Sequence, residues 1–296
     1  MNRLFRLVRY WIHRHLHPVN ERTLCSQSLL ERELDWAYYA RYGEHPNLQN
    51  PTTFNEKMQW LKIHDAIPLK TICADKLAVR PYVAQRVGEE VLPQVFREWE
   101  RAEDVSFQGL PSSFVLKANH GSGMMSMVRD AANANMQATH EACAQWLDTD
   151  FALTMLERWY SDIPRRVFAE ELLDDIEWEY QVWCFNGKAR YVGAMHDPHG
   201  SNEKQFFTPD WERQPFVSSL PILEGDIERP KNLDTLLDYS ERLAADFAFV
   251  RVDWYSCTQG LRFSELTFTP AGGFVQWTPR EYDAKLGALL KLPKVD

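Results

Sequence analysis

The sequence lacks the features that mark several specialised classes of protein. No uncharged apolar run reaches about 18 residues, which excludes a transmembrane helix of ordinary length. Repeats and low-complexity tracts are also absent. The cysteines are scattered, odd in number and without a CxxC pair, so we expect buried thiols in a reducing compartment instead of a zinc site or a disulfide framework. They are Cys25, Cys73, Cys143, Cys184 and Cys257.

The sequence also has fewer basic than acidic residues, and this balance indicates which kinds of partner it can bind. The 296 residues include 33 Lys and Arg against 42 Asp and Glu, which gives a net charge of −9. An acidic balance argues against a dedicated nucleic-acid-binding protein. Hydrophobic residues make up 45% and charged residues 25%, as in ordinary globular proteins. A chain of this length buries about 75% of its unfolded surface, enough for one large domain or two ordinary ones.

Periodicity divides the chain into three stretches and predicts an α+β fold with antiparallel sheets. Residues 1–90 form a helical N-terminal region, residues 91–175 mix strands and helices, and strands dominate residues 176–296. Asn186-Gly187 predicts a hairpin turn between strands at 180–185 and 189–194. A second pair is expected at 250–255 and 261–267. Residues 134–159 are predicted as one helix, and Asp75-Lys76 is predicted to open another that ends before Gly88.

The first 17 residues predict a basic amphipathic helix. One half of its helical wheel is apolar and the other is cationic. The apolar half holds Leu4, Phe5, Leu7, Val8, Trp11, Ile12 and Leu16, and the cationic half holds Arg3, Arg6, Arg9, His13, Arg14 and His17. Such a helix is typical of in-plane contact with an anionic membrane surface. The alternative is a helix that packs on the domain.

A lysine and a glycine-rich loop predict a phosphate site. Lys117 ends a predicted strand, and a hairpin loop follows that contains His120, Gly121, Ser122 and Gly123. Glycines let backbone N–H groups approach a phosphate, and the lysine neutralises its charge. The lysine precedes the glycines, so the loop is not a Walker A motif. A purely structural hairpin turn is the alternative.

Two acids on neighbouring strands predict a cation site. Asp253 and Glu265 lie side by side if their strands pair, and Arg251 shares the face of Asp253. Two adjacent carboxylates repel each other unless a cation lies between them, and Mg²⁺ prefers oxygen ligands completed by nucleotide phosphates. A surface salt-bridge network is the alternative. The turn after Glu265 contains Pro270, Gly272 and Gly273, and this glycine turn is predicted to present backbone N–H groups to a substrate anion.

A weaker pattern predicts an adenosine site. Two acids and two leucines follow a short strand, and a further acid, Glu179, opens the next strand. The four residues are Glu170, Glu171, Leu172 and Leu173. We expect them to hold the adenine edge and Glu179 to accept the ribose hydroxyls.

In this order the motifs resemble those of the TupA-like ATP-grasp family. This family is associated with teichuronopeptide and other gene clusters for bacterial surface polysaccharides. The resemblance covers about residues 50–292. Six motifs carry it: Phe54-Asn-Glu-Lys57, Asp75-Lys-Leu-Ala-Val-Arg80, Lys117-Ala-Asn-His-Gly-Ser-Gly123, Cys184-Phe-Asn-Gly-Lys188, Phe249-Val-Arg-Val-Asp253 and Glu265-Leu-Thr-Phe268.

The resemblance implies an ATP-grasp fold, with residues 91–175 as the small lobe and 176–296 as the large lobe. It implies an ATP- and Mg²⁺-dependent ligase that activates a carboxylate as an acyl phosphate and joins it to an amine. Lys76 and Lys117 would hold phosphates, with Lys204 as a further phosphate cation. Asp253, Glu265 and Thr267 would bind the metal, and Arg251 and Lys117 would be catalytic.

The same resemblance suggests substrates and a location. The carboxylate is expected on a sugar acid or polysaccharide precursor, and the amine on a second substrate such as an amino acid. The enzyme is expected in the cytoplasm, at the inner face of the membrane, without nucleic acid. Two residues depart from the expected pattern: Thr267 replaces a metal-binding Asn, and Gln181 replaces a cation.

Three other functions remain open at this stage. A glycosyltransferase is suggested by the DxD pattern Asp148-Thr-Asp150, although no predicted strand leads into it. A phosphotransferase could use the same ATP-grasp scaffold. A binding module without catalysis would not need both the metal acids and the phosphate lysines.

Overall fold

The computed structural model describes residues 3–196 and 203–294. Met1, Asn2 and the side chain of Arg3, which belong to the predicted 1–17 helix, lie outside the described part. The helices within it are α1 (Arg3–Leu16), α2 (Glu21–Cys25), α3 (Gln27–Tyr42), α4 (Phe54–His64), α5 (Pro68–Ala74), α6 (Val79–Val87), α7 (Met136–Asp148), α8 (Phe151–Met155), α9 (Leu233–Ala244) and α10 (Tyr282–Leu289).

The described strands form two main antiparallel sheets and one short pair. The strands are β1 (Val95–Trp99), β2 (Phe114–Ala118), β3 (Met125–Val128), β4 (Val167–Glu170), β5 (Ile176–Phe185), β6 (Lys188–His196), β7 (Gln205–Phe207), β8 (Val217–Ser218), β9 (Phe249–Cys257), β10 (Gly260–Thr267) and β11 (Trp277–Thr278). The four-stranded sheet has the order β1-β4-β2-β3, and the five-stranded sheet has the order β10-β9-β5-β6-β7. Strands β8 and β11 form the third. The α+β architecture with antiparallel sheets agrees with the sequence analysis.

Both predicted hairpins are present in the five-stranded sheet. Asn186 and Gly187, which join β5 to β6, have φ values of 49° and 76°. Positive φ at both central residues suits the twist of a tight hairpin, and Asn-Gly accepts it at little steric cost. Strands β9 and β10 pair antiparallel as expected.

Two helix boundaries differ from the sequence predictions. The single helix predicted for 134–159 is interrupted after Asp148, because Asp150 accepts a hydrogen bond from the Leu153 N–H at 2.9 Å and starts α8. Short polar side chains compete with the helical backbone in this way. Asp75 does not open a helix: it ends α5, and α6 begins only at Val79.

The two faces of the five-stranded sheet bury different cores. One face contributes Tyr180, Val182 and Cys184 to a core shared with α9. The other contributes Trp183, Phe185 and Phe249, which surround Phe54 of α4. Phe54 lies 5.1 to 6.0 Å from these three rings, centroid to centroid. Aromatic pairs at such distances add about 0.5–1.5 kcal/mol each beyond simple burial. This cluster therefore fixes α4 against the sheet.

Helix α1 packs on α3 through its polar half. The His13 Nε2 atom lies 3.0 Å from the buried carboxylate of Glu33, and its ring stacks on Trp36 at 4.7 Å between centroids. Arg14 donates to the Leu153 carbonyl at 3.5 Å. None of the described helices combines the length and apolar character needed to span a bilayer.

Candidate nucleotide and cation site

A single row of side chains crosses the centre of the five-stranded sheet. Glu265 on β10 is opposite Asp253 on β9, Asp253 is opposite Gln181 on β5, and Gln181 is opposite Gly193 on β6. The row lies on the sheet face that also buries Trp183, because side chains two residues apart on a strand share a face. The prediction that Asp253 and Glu265 are neighbours follows from this register. The strand pairing thus brings together two acids and an amide from distant positions in the chain.

Arg251 lies between the two acids. Its Nε donates to Asp253 Oδ1 at 2.7 Å, its Nη2 contacts the other Asp253 oxygen, and the same Nη2 is 3.7 Å from Glu265 Oε1. The guanidinium also donates to the Thr267 hydroxyl at 3.1 Å, which in turn donates to Glu265 at 3.2 Å. Neighbouring carboxylates need a compensating cation, and here the guanidinium provides it.

The two acids titrate differently because their surroundings differ. Burial raises the pKa of Asp253 to about 7, even though Arg251 opposes the shift. Burial acts in the same sense on Glu265, but Lys76 and Arg251 outweigh it and lower the pKa of that carboxyl. Lys76 is 3.4 Å from the second Glu265 oxygen. At neutral pH Glu265 is therefore the more firmly ionised member of the pair.

A buried lysine, Lys204, reaches this row from the edge of the sheet formed by β7. Lys204 is 5% exposed, and its Nζ donates to the Oε1 of Gln181, whose amide donates to Glu179 at 2.7 Å. A Cβ on Gly193 would lie only 3.1 Å from the Lys204 side chain. Gly193 therefore leaves room for the lysine, which supplies a cation near the position where the sequence has Gln181. Burial lowers the pKa of Lys204 to about 7.

The loop after β2 presents unpaired backbone donors. Across residues 3–196 and 203–294, the N–H groups of Gly121, Ser122 and Gly123 find no hydrogen-bond acceptor. Gly123 has φ +75°, and a Cβ on Gly121 would meet Met124 at 2.4 Å. Gly123 is thus required by its backbone conformation, and Gly121 by the lack of space for a side chain. Successive free N–H groups in a turn are a common anion-binding arrangement.

The root of this loop is held by its own motif residues. The Asn119 amide donates to Asp75 at 2.9 Å and to the Pro164 carbonyl at 3.0 Å. His120 is buried, and its ring nitrogens contact Asn119 at 3.3 Å and the Trp146 carbonyl at 3.1 Å. Burial lowers the pKa of His120. Its side chain therefore faces α7, and a phosphate contact from this residue would come from its backbone.

Two lysines connect the loop to the acids on either side. Lys76 donates to the Gly121 carbonyl at 2.6 Å while also facing Glu265. Lys117 donates to Glu170 at 2.6 Å. Neither lysine is fully exposed, so both are oriented by these contacts.

A mainly apolar pocket lies between the two large sheets. It is lined by residues of β2 and β3, by the segment that follows β4 and by two residues of the five-stranded sheet: Val115, Lys117, Met125, Met127, Glu170, Glu171, Leu172, Leu173, Ile176 and Tyr255. All four residues predicted to hold adenine are among them. The Glu171 carboxylate, however, accepts from the Gln94 N–H at 3.1 Å and lies 3.4 Å from Arg262. The sequence analysis missed Tyr255, because only the packing of the two sheets brings it to the pocket. It also missed the two methionines, which pair with Val115 and Lys117 in the β2–β3 hairpin.

Helix α4 holds the turn that follows β10. Asn55 donates to the Val275 carbonyl at 2.9 Å and accepts from the Val275 N–H at 2.8 Å. One turn on, Gln59 donates to the Gly273 carbonyl at 2.6 Å, and Lys62 donates to the Gly272 carbonyl at 2.7 Å. We call these three side chains the α4 clamp.

The α4 clamp determines which groups of the turn remain free. The carbonyls of Gly272 and Gly273 face the helix, and the Gly272 N–H donates to Thr269 at 2.9 Å within the turn. In the part of the chain that the structure describes, the N–H group of Ala271 has no acceptor outside the turn, and Pro270 has no N–H to donate. The predicted anion contact of this turn therefore falls to Ala271.

The donor set fits a magnesium ion. Two carboxylates and a hydroxyl, from Asp253, Glu265 and Thr267, offer oxygen ligands on adjacent strands. Mg²⁺ binds few protein carboxylates and completes its shell with water and phosphate. No group of three or more His, Cys, Asp or Glu suited to a metal occurs among the described residues. Two carboxylates and one hydroxyl would leave the rest of an octahedral shell to water and phosphate, and Arg251 now lies between the two acids.

The DxD pattern is accounted for by local structure. Asp150 caps α8 and lies 3.1 Å from Arg165, and Asp148 ends α7. Neither acid is near the row of side chains on the five-stranded sheet in sequence or by contact. The structure thus gives the pattern a role in helix termination.

Several solved structures resemble this chain in fold. L-amino acid ligase from Bacillus licheniformis aligns with a TM-score of 0.45 and 15% identity, over 77% of this chain and 53% of the ligase. D-alanyl-alanine synthetase A from Vibrio cholerae gives 0.39 and 15%, over 66% and 54%. D-alanine–D-alanine ligase from Bacillus anthracis, complexed with ATP, gives 0.38 and 16%, over 67% and 54%. The chain thus spans about half the length of each. A search of curated proteins found no match.

The family model described as TupA-like ATPgrasp matches residues 56–291, most of the chain. This span includes the loop at residues 120–123, the apolar pocket, the paired acids and the glycine turn. Both the family and the ATP-grasp fold expected from the sequence are confirmed. The chain belongs to the TupA-like ATP-grasp family.

Proposed function

We propose that this protein is an ATP-dependent carboxylate–amine ligase. The observation that carries the proposal is the position of Arg251. Its guanidinium bridges two acids on adjacent strands, and Lys76 links one of those acids to a loop with free N–H groups. The apolar pocket that we propose for adenine is lined in part by Lys117, which lies just before the same loop in sequence. Cations, amide donors and oxygen ligands thus surround one cleft.

In the proposed reaction, a carboxylate oxygen of the first substrate attacks the γ-phosphorus of ATP. The bond to the β-phosphate oxygen breaks, and ADP and an acyl phosphate form. An amine nitrogen then attacks the acyl carbon, phosphate leaves, and the amine loses a proton as the amide forms. Negative charge concentrates on the transferred phosphoryl group, so positioned cations supply most of the catalysis.

Each residue has a defined part in this proposal. Lys76, Lys117 and Lys204 neutralise phosphate oxygens, and the N–H groups of residues 121–123 bind them. Arg251 stabilises the acyl phosphate. Asp253, Glu265 and Thr267 would hold Mg²⁺, which neutralises β- and γ-phosphate oxygens when it is bound. The free N–H group of Ala271 contacts the substrate carboxylate. Glu179 accepts from the ribose hydroxyls.

The substrates and location are proposed at a coarser level. The acid would belong to a sugar acid or polysaccharide precursor of a bacterial surface, and the amine to a second substrate such as an amino acid. We place the enzyme in the cytoplasm at the membrane, where lipid-linked polysaccharides are assembled. All five cysteines are free thiols, four of them buried, which agrees with a reducing compartment.

The test is ADP release from ATP and Mg²⁺ against a panel of uronic acids paired with amino acids, with product masses measured. We expect ADP release that requires both partners, and a product with the mass of the amide. Asp253→Asn and Glu265→Gln should abolish turnover without loss of fold. A product with the mass of a phosphate ester would instead identify a phosphotransferase, and transfer from a nucleotide sugar would identify a glycosyltransferase.

A further inference from the structure

Helix α1 leaves its apolar half uncovered. Ten large apolar side chains are exposed across residues 3–196 and 203–294, and seven of them are on this one helix. The seven are Leu4, Phe5, Leu7, Val8, Trp11, Ile12 and Leu16. Trp11 is 66% exposed and Leu16 is 68% exposed. A contiguous apolar face of this kind on a folded protein marks a contact surface.

The orientation is fixed by the opposite half of the helix. His13 is held by the buried Glu33 and by the ring of Trp36, and Arg14 reaches the Leu153 carbonyl. The helix is therefore docked by its polar side, which reverses the usual arrangement of a surface helix. The sequence alone left in-plane membrane contact and packing on the domain as alternatives. The structure docks the polar side and directs the apolar side outward.

The charges around this face identify what it contacts. On a helical wheel of 3.6 residues per turn, Arg9 and Arg14 lie at the two borders of the apolar face. No acid occurs in the first 20 residues, although the whole chain has a net charge of −9. An apolar face with cationic borders matches the boundary between acyl chains and anionic headgroups. Trp11, which lies on this face, is a residue type enriched at that boundary.

A second copy of the chain fits this surface less well. Two such faces in contact would place the same arginines opposite each other, with no acid of the helix to offset them. Like charges across an interface are unfavourable. A lipid surface supplies both the apolar phase and the negative charge. An apolar face with cationic borders therefore favours a membrane surface over a second copy of the chain.

We propose that α1 lies in the plane of an anionic membrane with its apolar face in the acyl region, while its polar face stays docked on α3. The proposal extends the proposed location of the enzyme and uses nothing from its chemistry. Binding of this kind depends on apolar burial as well as on charge, so salt weakens it without removing it. Its test is run without ATP, so that failure of the ligase proposal would not affect it.

The experiment measures co-sedimentation of the full chain with vesicles of phosphatidylcholine and phosphatidylglycerol, and with phosphatidylcholine alone. The double variant Trp11→Ser/Leu16→Ser removes apolar surface that is already exposed, so its melting temperature should match the wild type. We expect it to weaken vesicle binding about tenfold or more. The matched control is Ile72→Ser, which alters an exposed apolar residue of α5 and should bind as the wild type does.

Depth of insertion gives a second readout. Lipids with brominated acyl chains should quench a part of the tryptophan emission that is absent from the Trp11→Phe variant. Binding that disappears at about 0.5 M salt and is unchanged in the double variant would overturn the proposal, because it would rest on charge alone. Absence of vesicle binding would also overturn it. So would a dimer in sedimentation velocity that the double variant dissociates, since the face would then pair two copies.

Discussion

Arg251 illustrates how a single residue gives the cleft its electrostatic character. It occupies the space between Asp253 and Glu265, where a divalent ion would otherwise be needed to offset two negative charges. Nucleotide and metal binding would release it from the acids toward the transferred phosphoryl group. The buried guanidinium is thus available in the cleft before any ligand arrives.

The first prediction at this scale concerns Lys117. Lys117→Gln keeps a donor for Glu170 but removes the positive charge that is proposed to contact a phosphate. Loss of a charge-assisted contact should weaken binding of a non-hydrolysable ATP analogue by about 1.5–3 kcal/mol, measured by calorimetry with Mg²⁺. Lys188→Gln, which removes the positive charge beside Glu241 on the surface, is the control. Equal affinities of both variants and the wild type would exclude Lys117 from the site.

The second prediction concerns the pH dependence of stability. Burial raises the pKa of Glu56, but hydrogen bonds from the N–H groups of Asn47, Thr52 and Thr53 lower it by more. The pKa therefore lies below the ordinary value of 4.5. A lowered pKa stabilises the fold above that ordinary value and loses this contribution as pH falls through the folded value. Glu56→Gln should therefore lower the free energy of unfolding at pH 7 by about 1–2 kcal/mol.

Urea unfolding at pH 7 and at about pH 3 checks this difference. The gap between wild type and Glu56→Gln should narrow at the acidic pH, because protonation removes the advantage of the carboxylate. Glu224→Gln, on an exposed loop, should leave stability unchanged at both. A gap that stays constant with pH would show that the charge of Glu56 is not what stabilises its N–H partners.

At the scale of elements, α4 connects the aromatic core to the cleft. Phe54 anchors the helix on the sheet, and Lys57 donates to the carbonyls of Gly287 and Leu290 at 2.8 and 2.7 Å. Three further side chains form the α4 clamp on the glycine turn. The family motif at 54–57 thus has a structural role: it holds the segment that follows Glu265 in place.

The third prediction tests the α4 clamp. Asn55→Ala would leave the Val275 N–H without its partner and would remove one of two donors to the Val275 carbonyl, which also accepts from the Tyr42 hydroxyl. One unsatisfied N–H group and one lost hydrogen bond should cost about 1–3 kcal/mol of stability, and the turn should loosen. Hydrogen exchange followed by mass spectrometry should show faster exchange in residues 271–276. Asn133→Ala, an exposed change, is the control, and unaltered exchange in Asn55→Ala would contradict the clamp.

Sequence reasoning reached those features of the site that depend on local order. Asp253 and Glu265 could be placed on neighbouring strands because a short turn joins those strands, but their direct pairing depends on a β-bulge between Phe263 and Glu265. The loop at 120–123 could be recognised because glycine spacing is local. The α4 clamp could not be foreseen, since Asn55 and Val275 are 220 positions apart. Lys204 reaches Gln181 only because β7 lies beside β6 and Gly193 leaves space for it.

On the scale of the whole molecule, the orientation of α1 shows a further limit of pattern reading. The amphipathic pattern was clear, but the direction of each face depends on Glu33 and Trp36 of another helix. The lobe boundaries at 90/91 and 175/176 stay predictions. What the structure adds is that residues of both large sheets line an apolar pocket, among them Lys117 of β2 and Tyr255 of β9.

The most direct test of the account is the fate of the carboxylate oxygens. A sugar acid found active in the panel is prepared with ¹⁸O in its carboxylate, and the phosphate released during amide formation is analysed by mass spectrometry. Attack by that carboxylate on the γ-phosphorus predicts one labelled oxygen in each phosphate formed. Unlabelled phosphate, or label retained in a phosphorylated product, would contradict activation of a carboxylate by this protein.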